Sequence, residues 1–180
     1  MTYTTRFTFV AGWLAFASLA LGQSAVAPID WENPAVIERN KQAQRASFFA
    51  FETAALAEQG IPDSSGRFMS LNGVWKFHYA PTPEERPMDF FENKFDASAW
   101  DDIPVPANWE VEGHGTPIYV NHPYAFSFHQ RPSPPDIPVG DNPVGSYLRT
   151  FELPDSWDGQ EVIVHFGAVK SAFYLWVNGA

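Results

Sequence analysis

Paired carboxylates are the first residues to test for chemistry, because general acid–base work needs two such groups facing one space. The chain offers two adjacent pairs, Glu84-Glu85 and Asp101-Asp102. Neighbouring side chains point apart on any extended element and exposed acidic pairs are as a rule solvated, so neither pair is read as catalytic. His114, His122 and His129 share one proline-rich stretch. They lack the i, i+4 spacing of a helical metal site and a third ligand nearby, and read as loop packing or the rim of a pocket. Asp30-x-x-Asn33 brings a carboxylate and an amide oxygen together, but the bare pattern is that of a helix cap. Asn121 carries one acceptor and two donors without charge; between Tyr119 and Pro123 it reads by itself as a turn residue. Trp75, Trp100, Trp109, Trp157 and Trp176 are flat apolar platforms of the kind that stack on rings. Trp75 and Trp176 sit in strand patterns and are assigned to the core, whereas Trp109, beside a loop, stays open between the two roles. No Gly-x-Ser-x-Gly elbow, phosphate loop or dinucleotide fingerprint occurs. With Cys at 0, disulfides, zinc-thiolate sites and thiol nucleophiles are excluded.

The elements that would position these groups are read from composition and period. Among 180 residues, 16 Pro, 12 Gly, 7 Trp and 16 Phe favour short strands and long turns over a helical bundle, so the fold class is all-β, in one domain. A net charge of −10 without a compensating Lys/Arg run argues against nucleic acid as a partner. Val74 to Tyr79 alternates, with Trp75, Phe77 and Tyr79 on one face, and predicts a half-buried strand leaving the Asn72-Gly73 turn. Ile103-Pro104-Val105-Pro106 must be an edge or a connection, because its prolines cannot donate to a ladder. The segment from Pro34 to about Gln59 predicts a peripheral arm with some helix, packed on the domain by Phe48, Phe49 and Phe51. Glu112 to Gly145 is a long loop whose aromatic residues argue for an ordered, surface-forming course. Three strands are expected after it, Tyr147–Leu153, Val162–Phe166 and Ala172–Val177, the last apolar on both faces like the central strand of a two-sheet sandwich.

The two ends carry their own signals. Met1 to Arg6 bears one positive charge, and the following apolar run of about 15 residues is shorter than the roughly 20 that span a bilayer. Residues 1–27 therefore read as a signal peptide without stable membrane anchoring, and the protein as exported, periplasmic or secreted. Ala25-Val26-Ala27 suits the peptidase, although Pro28 would follow the cut, and cleavage after Gly22 or Ser24 stays open. Residues 28–66 form the arm and 67–180 the domain. At the other end, Asn178-Gly179 is a strong hairpin signal after a buried strand, with no returning strand behind it. An unpaired central strand costs on the order of 1–3 kcal/mol per buried orphan group, which predicts a fragment of a longer polypeptide.

Several motifs, in order, resemble one known family. They are Asp30-Trp31-Glu32-Asn33-Pro34, Ser70-Leu71-Asn72-Gly73-Val74-Trp75-Lys76-Phe77, Val105-Pro106-Ala107-Asn108-Trp109-Glu110, Pro117-Ile118-Tyr119-Val120-Asn121, Asn142-Pro143-Val144-Gly145-Ser146-Tyr147, and Val169 to Gly179. Together they resemble the amino-terminal domain of the large β-galactosidases of glycoside hydrolase family two. The resemblance implies a jelly-roll β-sandwich of the galactose-binding-like kind, here incomplete at its C-terminus. A later barrel domain would carry two glutamates acting as acid/base and nucleophile of a retaining mechanism. It implies a role for Asn121 as the one substrate-binding residue of this segment, reaching into the pocket to the galactosyl unit of a β-galactoside. No catalytic residue or cofactor is expected in the segment, which should be inactive alone. Asp30, Asn33 and the Val36 carbonyl match positions that hold magnesium in some members; they are not taken as a metal site here, and the resemblance leaves magnesium and sodium as ions that the parent enzyme can bind. The remaining domains of the same chain are its partners, and the parent can form a homo-oligomer. Two other readings stand beside this one: a secreted non-catalytic carbohydrate-binding module, and the same domain of a β-glucuronidase or β-mannosidase.

Overall fold

The computed structural model describes residues 30–43, 46, 48–117, 137–138, 140 and 142–180. Its centre is a three-stranded antiparallel sheet in the order β2-β1-β3. Strand β1 spans Gly73–Ala80, β2 Asp101–Val105 and β3 Val144–Leu148. β1 forms where alternation was cleanest. It starts at Gly73, whose φ of 129° is open to glycine and costly for other residues, and buries Phe77 completely while Val74 on the other face stays 65% exposed. The β2 register sets Trp75 opposite Ile103 and Lys76 opposite Asp102; the β3 register sets Phe77 opposite Tyr147 and Tyr79 opposite Gly145. Pro104 thus lies on an edge strand, as the missing donor requires. Among the described residues, Phe77, Ala80, Ala97 and Ile103 are the buried hydrophobic residues of this small core.

The arm contributes the one α-helix among the described residues, α1, Ala54–Gln59. Its Ala-rich sequence has good helix propensity, the Thr53 hydroxyl accepts from the Leu56 amide at 3.2 Å, and Gly60, at φ 67°, ends it in the left-handed region. The arm is fastened by side chains. Phe49 meets Phe51 and Phe68 edge-on at 4.7 and 5.8 Å, while Phe48 is exposed. The buried Ser65 hydroxyl donates to Glu52, and the Trp157 indole donates to the Gly66 carbonyl at 2.7 Å. A mostly-sheet molecule with little helix and an antiparallel sheet is what a β-sandwich domain is built from.

Two expectations fail. Val162–Phe166 and Ala172–Val177 have strand composition but no ladder, and the strand expected at Tyr147–Leu153 is shortened and shifted to Val144–Leu148. A strand is a paired state, and among the described residues these two segments have no hydrogen-bonded neighbour. Their large apolar side chains, Val162, Ile163, Val164, Phe166, Phe173, Tyr174, Leu175, Trp176 and Val177, remain 38–51% exposed. Hence β1 is the central strand in place of Ala172–Val177. Trp176 is not a core residue: it stacks on Phe91 at 5.3 Å and is 38% exposed. The Asn178-Gly179 turn does form. Both residues have positive φ, 53° and 88°, and Val177 and Ala180 exchange two backbone hydrogen bonds, the geometry of a two-residue hairpin turn.

Candidate functional site

The long segment beginning near Glu112 leaves from one aromatic cluster and returns to it. Phe77 lies at the middle of this cluster, with His114 edge-on at 4.6 Å, Tyr147 at 4.8 Å and Trp109 at 6.1 Å. Trp109 also meets Tyr79 edge-on at 6.0 Å. The outgoing stem is a tight turn: Val111 donates to the Asn108 carbonyl, and the Trp109 carbonyl accepts from Glu112 at 3.1 Å and His114 at 2.9 Å. The returning stem enters β3, where the ladder sets Gly145 opposite Tyr79. Gly115 packs against the Tyr79 ring and Gly145 against Trp109. Burial raises the Tyr147 phenol above the usual tyrosine range, and the nearby Glu110 charge adds to this, so the ring hydroxyl stays neutral through ordinary pH.

Asn121, His122 and His129 lie outside the described residues. His114 is loop packing on Phe77, in agreement with its sequence reading. Trp109 resolves as packing across the two stems rather than as an exposed platform. Trp75 is half-buried, its indole donating to the Leu71 carbonyl at 2.8 Å, and Trp100 sits among His78, Phe90 and Phe95. The acidic pairs are surface groups. Asp102 pairs with Lys76 across β1 and β2 at 2.9 Å, and Glu85 accepts from the Thr82 hydroxyl.

Asp30 and Asn33 were the candidate cation ligands. Arg39 grips both Asp30 oxygens at 2.7 Å, and this hydrogen bonding holds the carboxyl below its usual range. The Asn33 side-chain oxygen accepts from the Ala35 amide at 3.0 Å, and its carbonyl from Val36 at 2.9 Å. Both Asp30 carboxylate oxygens and the Asn33 oxygens are therefore engaged by a guanidinium and a turn, and no chemistry is assigned to a metal here. The same corner holds Trp31, edge-on to Tyr174 at 6.0 Å and under Arg86 at 5.0 Å, which ties the arm to the 172–177 segment.

Sequence reasoning missed Gly145 and Tyr79 as partners of Trp109, and Gly115 as a partner of Tyr79. Their contacts join distant positions and leave no local period; the one available signal was that Trp109 and Gly145 each fall inside a motif of the resemblance.

Comparison with known proteins agrees with the motifs. Residues 68–180 match the family described as "Glycosyl hydrolases family 2, sugar binding domain". A Halalkalibacterium halodurans protein named beta-galactosidase is 41% identical over 140 residues, covering 78% of this chain and 14% of the relative. One of the same name from Priestia megaterium is 36% identical over 151 residues, covering 83% and 15%. A beta-galactosidase large subunit from Leuconostoc lactis is 36% identical over 167 residues, covering 85% and 26%. The chain thus spans about 14–15% of the length of the first two relatives. With the family matched over residues 68–180, on the sheet and stems just described, this chain belongs to glycosyl hydrolases family 2 through the sugar-binding domain.

Proposed function

We propose that this chain is the amino-terminal part of an exported, retaining β-galactosidase that hydrolyses terminal β-D-galactosides. Residues 1–27 act as its signal peptide, 28–66 as an arm, and 67–180 as a jelly-roll domain that shapes the galactose pocket and is completed by later parts of the same polypeptide. The observation that carries the reading is identity of 36–41% to proteins named beta-galactosidase over 78–85% of the chain, together with the family match.

The chemistry belongs to two glutamates outside residues 1–180, one protonating the leaving oxygen and the other forming the covalent glycosyl-enzyme. This segment supplies binding. The Asn121 amide both donates to and accepts from a galactose hydroxyl without adding charge next to a developing oxocarbenium ion.

The test is turnover by the full-length gene product of nitrophenyl β-galactoside, β-glucuronide and β-mannoside side by side. Galactoside should be preferred, residues 1–180 alone should show no turnover, and Asn121→Ala should raise KM about tenfold, the loss of one good hydrogen bond to substrate. A preference for glucuronide or mannoside, or glycan binding without any hydrolysis, overturns the reading.

A further inference from the structure

We propose that the turn from Leu153 to Val162 is a sugar-binding site that holds one neutral pyranose unit of a glycan chain against Trp157. The turn borders an open cavity of about 450 Å³, lined by Leu153, Asp155, Trp157, Asp158, Gln160 and Val162 among others, a volume within the range of small-molecule sites. Trp157 differs from the other described tryptophans. Rings or guanidinium groups lie against Trp31, Trp75, Trp100, Trp109 and Trp176, whereas among the described residues none lies against Trp157. Its indole N–H donates to the Gly66 carbonyl at 2.7 Å, which fixes the ring while the half-buried side chain borders the cavity. A ring held in place in this way offers apolar contact to the C–H face of a sugar at little further cost in side-chain freedom.

The polar side chains of the turn are free to serve a ligand. Its backbone is satisfied internally: Trp157 donates to the Pro154 carbonyl at 2.9 Å, Asp158 to Asp155 at 3.1 Å and Gln160 to Trp157 at 2.9 Å. Asp155, Asp158 and Gln160 are exposed, and among the described residues their side chains enter no hydrogen bond or ion pair. Two carboxylates accept from sugar hydroxyls, and the Gln160 amide can both donate and accept. No Lys or Arg lines the cavity, so its field is negative, which a neutral sugar tolerates and a uronate does not. A Cβ at Gly159 would meet nothing within 4 Å, which leaves open space beside the site for the rest of a glycan.

The experiment passes the full-length gene product over immobilised β-1,4-galactan, with polygalacturonate as the anionic counterpart. Wild type should be retarded on galactan and not on polygalacturonate, and high salt should leave the retardation in place because the ligand is neutral. Trp157→Ala should weaken retention at least about tenfold, as truncation of a central aromatic contact does, and Gln160→Ala about fivefold, the loss of one good hydrogen bond. Turnover of nitrophenyl β-galactoside within about twofold of wild type shows that the variants are folded. Should Trp157→Ala fail to fold through the loss of its bond to Gly66, Gln160→Ala and Asp158→Ala, both at exposed positions, decide by the same retention criterion. No retardation of the wild type, retention unchanged in the folded variants, equal retention on polygalacturonate, or retention that high salt abolishes overturns the site. The proposed function supplies only the choice of galactan as probe. Retention that depends on Trp157, beside a turnover preference for glucuronide, refutes the β-galactosidase reading and upholds this site; galactoside turnover with retention unchanged in the variants refutes this site alone.

Discussion

Phe77→Ala should remove most of what holds the central sheet together. Phe77 is 0% exposed, sits on the middle strand, and touches the rings of Trp109, His114 and Tyr147. Truncating a fully buried Phe costs about 3–5 kcal/mol, and three lost ring contacts, each worth about 0.5–1.5 kcal/mol, place this site in the upper part of that range. Val74 is the internal control. It lies on the same strand but is 65% exposed, so Val74→Ala should stay within about 0.5 kcal/mol. Hydrogen exchange read at the amides of Lys76 to Tyr79 and of Ser146 to Leu148 is the assay, because it reports local opening without assuming one global transition. At about 1.4 kcal/mol per tenfold, Phe77→Ala should accelerate these amides by at least about a hundredfold and Val74→Ala by less than about threefold. Equal effects at the two positions, or a Phe77→Ala loss below about 1 kcal/mol, would refute the assignment of the core face.

Two further outcomes follow from the arm and from the apolar tail. The Asp30 carboxyl titrates below its usual range in the folded state through its hydrogen bonds to Arg39, so this pair's stabilisation is present above the unfolded Asp pKa of about 3.9 and is lost as pH falls through the lower folded value. The melting difference between wild type and Asp30→Asn should therefore shrink from neutral pH toward pH about 3, and a difference that grows in acid refutes the assignment; the pair is exposed, so the effect is small and weaker in salt. Residues 30–180 expressed alone should self-associate, because the apolar side chains of 162–177 are 38–51% exposed, and a monomeric sedimentation profile with one cooperative melt would count against that.

How much of this was legible before the structure depends on where each residue finds its partners. β1 was readable because alternation, the preceding Asn-Gly and the aromatic face all agree, and because both its neighbours lie among the described residues. The edge position of Pro104 followed from a missing donor alone. The 162–166 and 172–177 segments misled for the opposite reason: β-branched and aromatic content reports that a residue suits a pleated, half-buried surface, and no local rule says whether that surface is present. Trp176 shows the same limit, since it was assigned to the core by the strand it was expected to occupy and stacks on Phe91 instead.

The candidate site divides along the same line. Asn121 has no local pattern that separates a turn amide from a sugar-binding one, so its proposed role came through the resemblance. Trp109 was left open by its own neighbourhood, and contacts distant in the chain decide it: its ring meets Phe77 and Tyr79, and the indole occupies the volume that a side chain at 145 would need. Such a contact is compositional at both ends, one large ring and one absent Cβ, and neither end has a period to detect. Six motifs in register are thus informative in a way that no single motif is. Trp109 and Gly145 belong to different motifs, yet each has a reason to keep its residue type only when the other is present. Packing of this kind joins the place where the long segment leaves the sheet to the place where it returns, at positions that no local pattern marks.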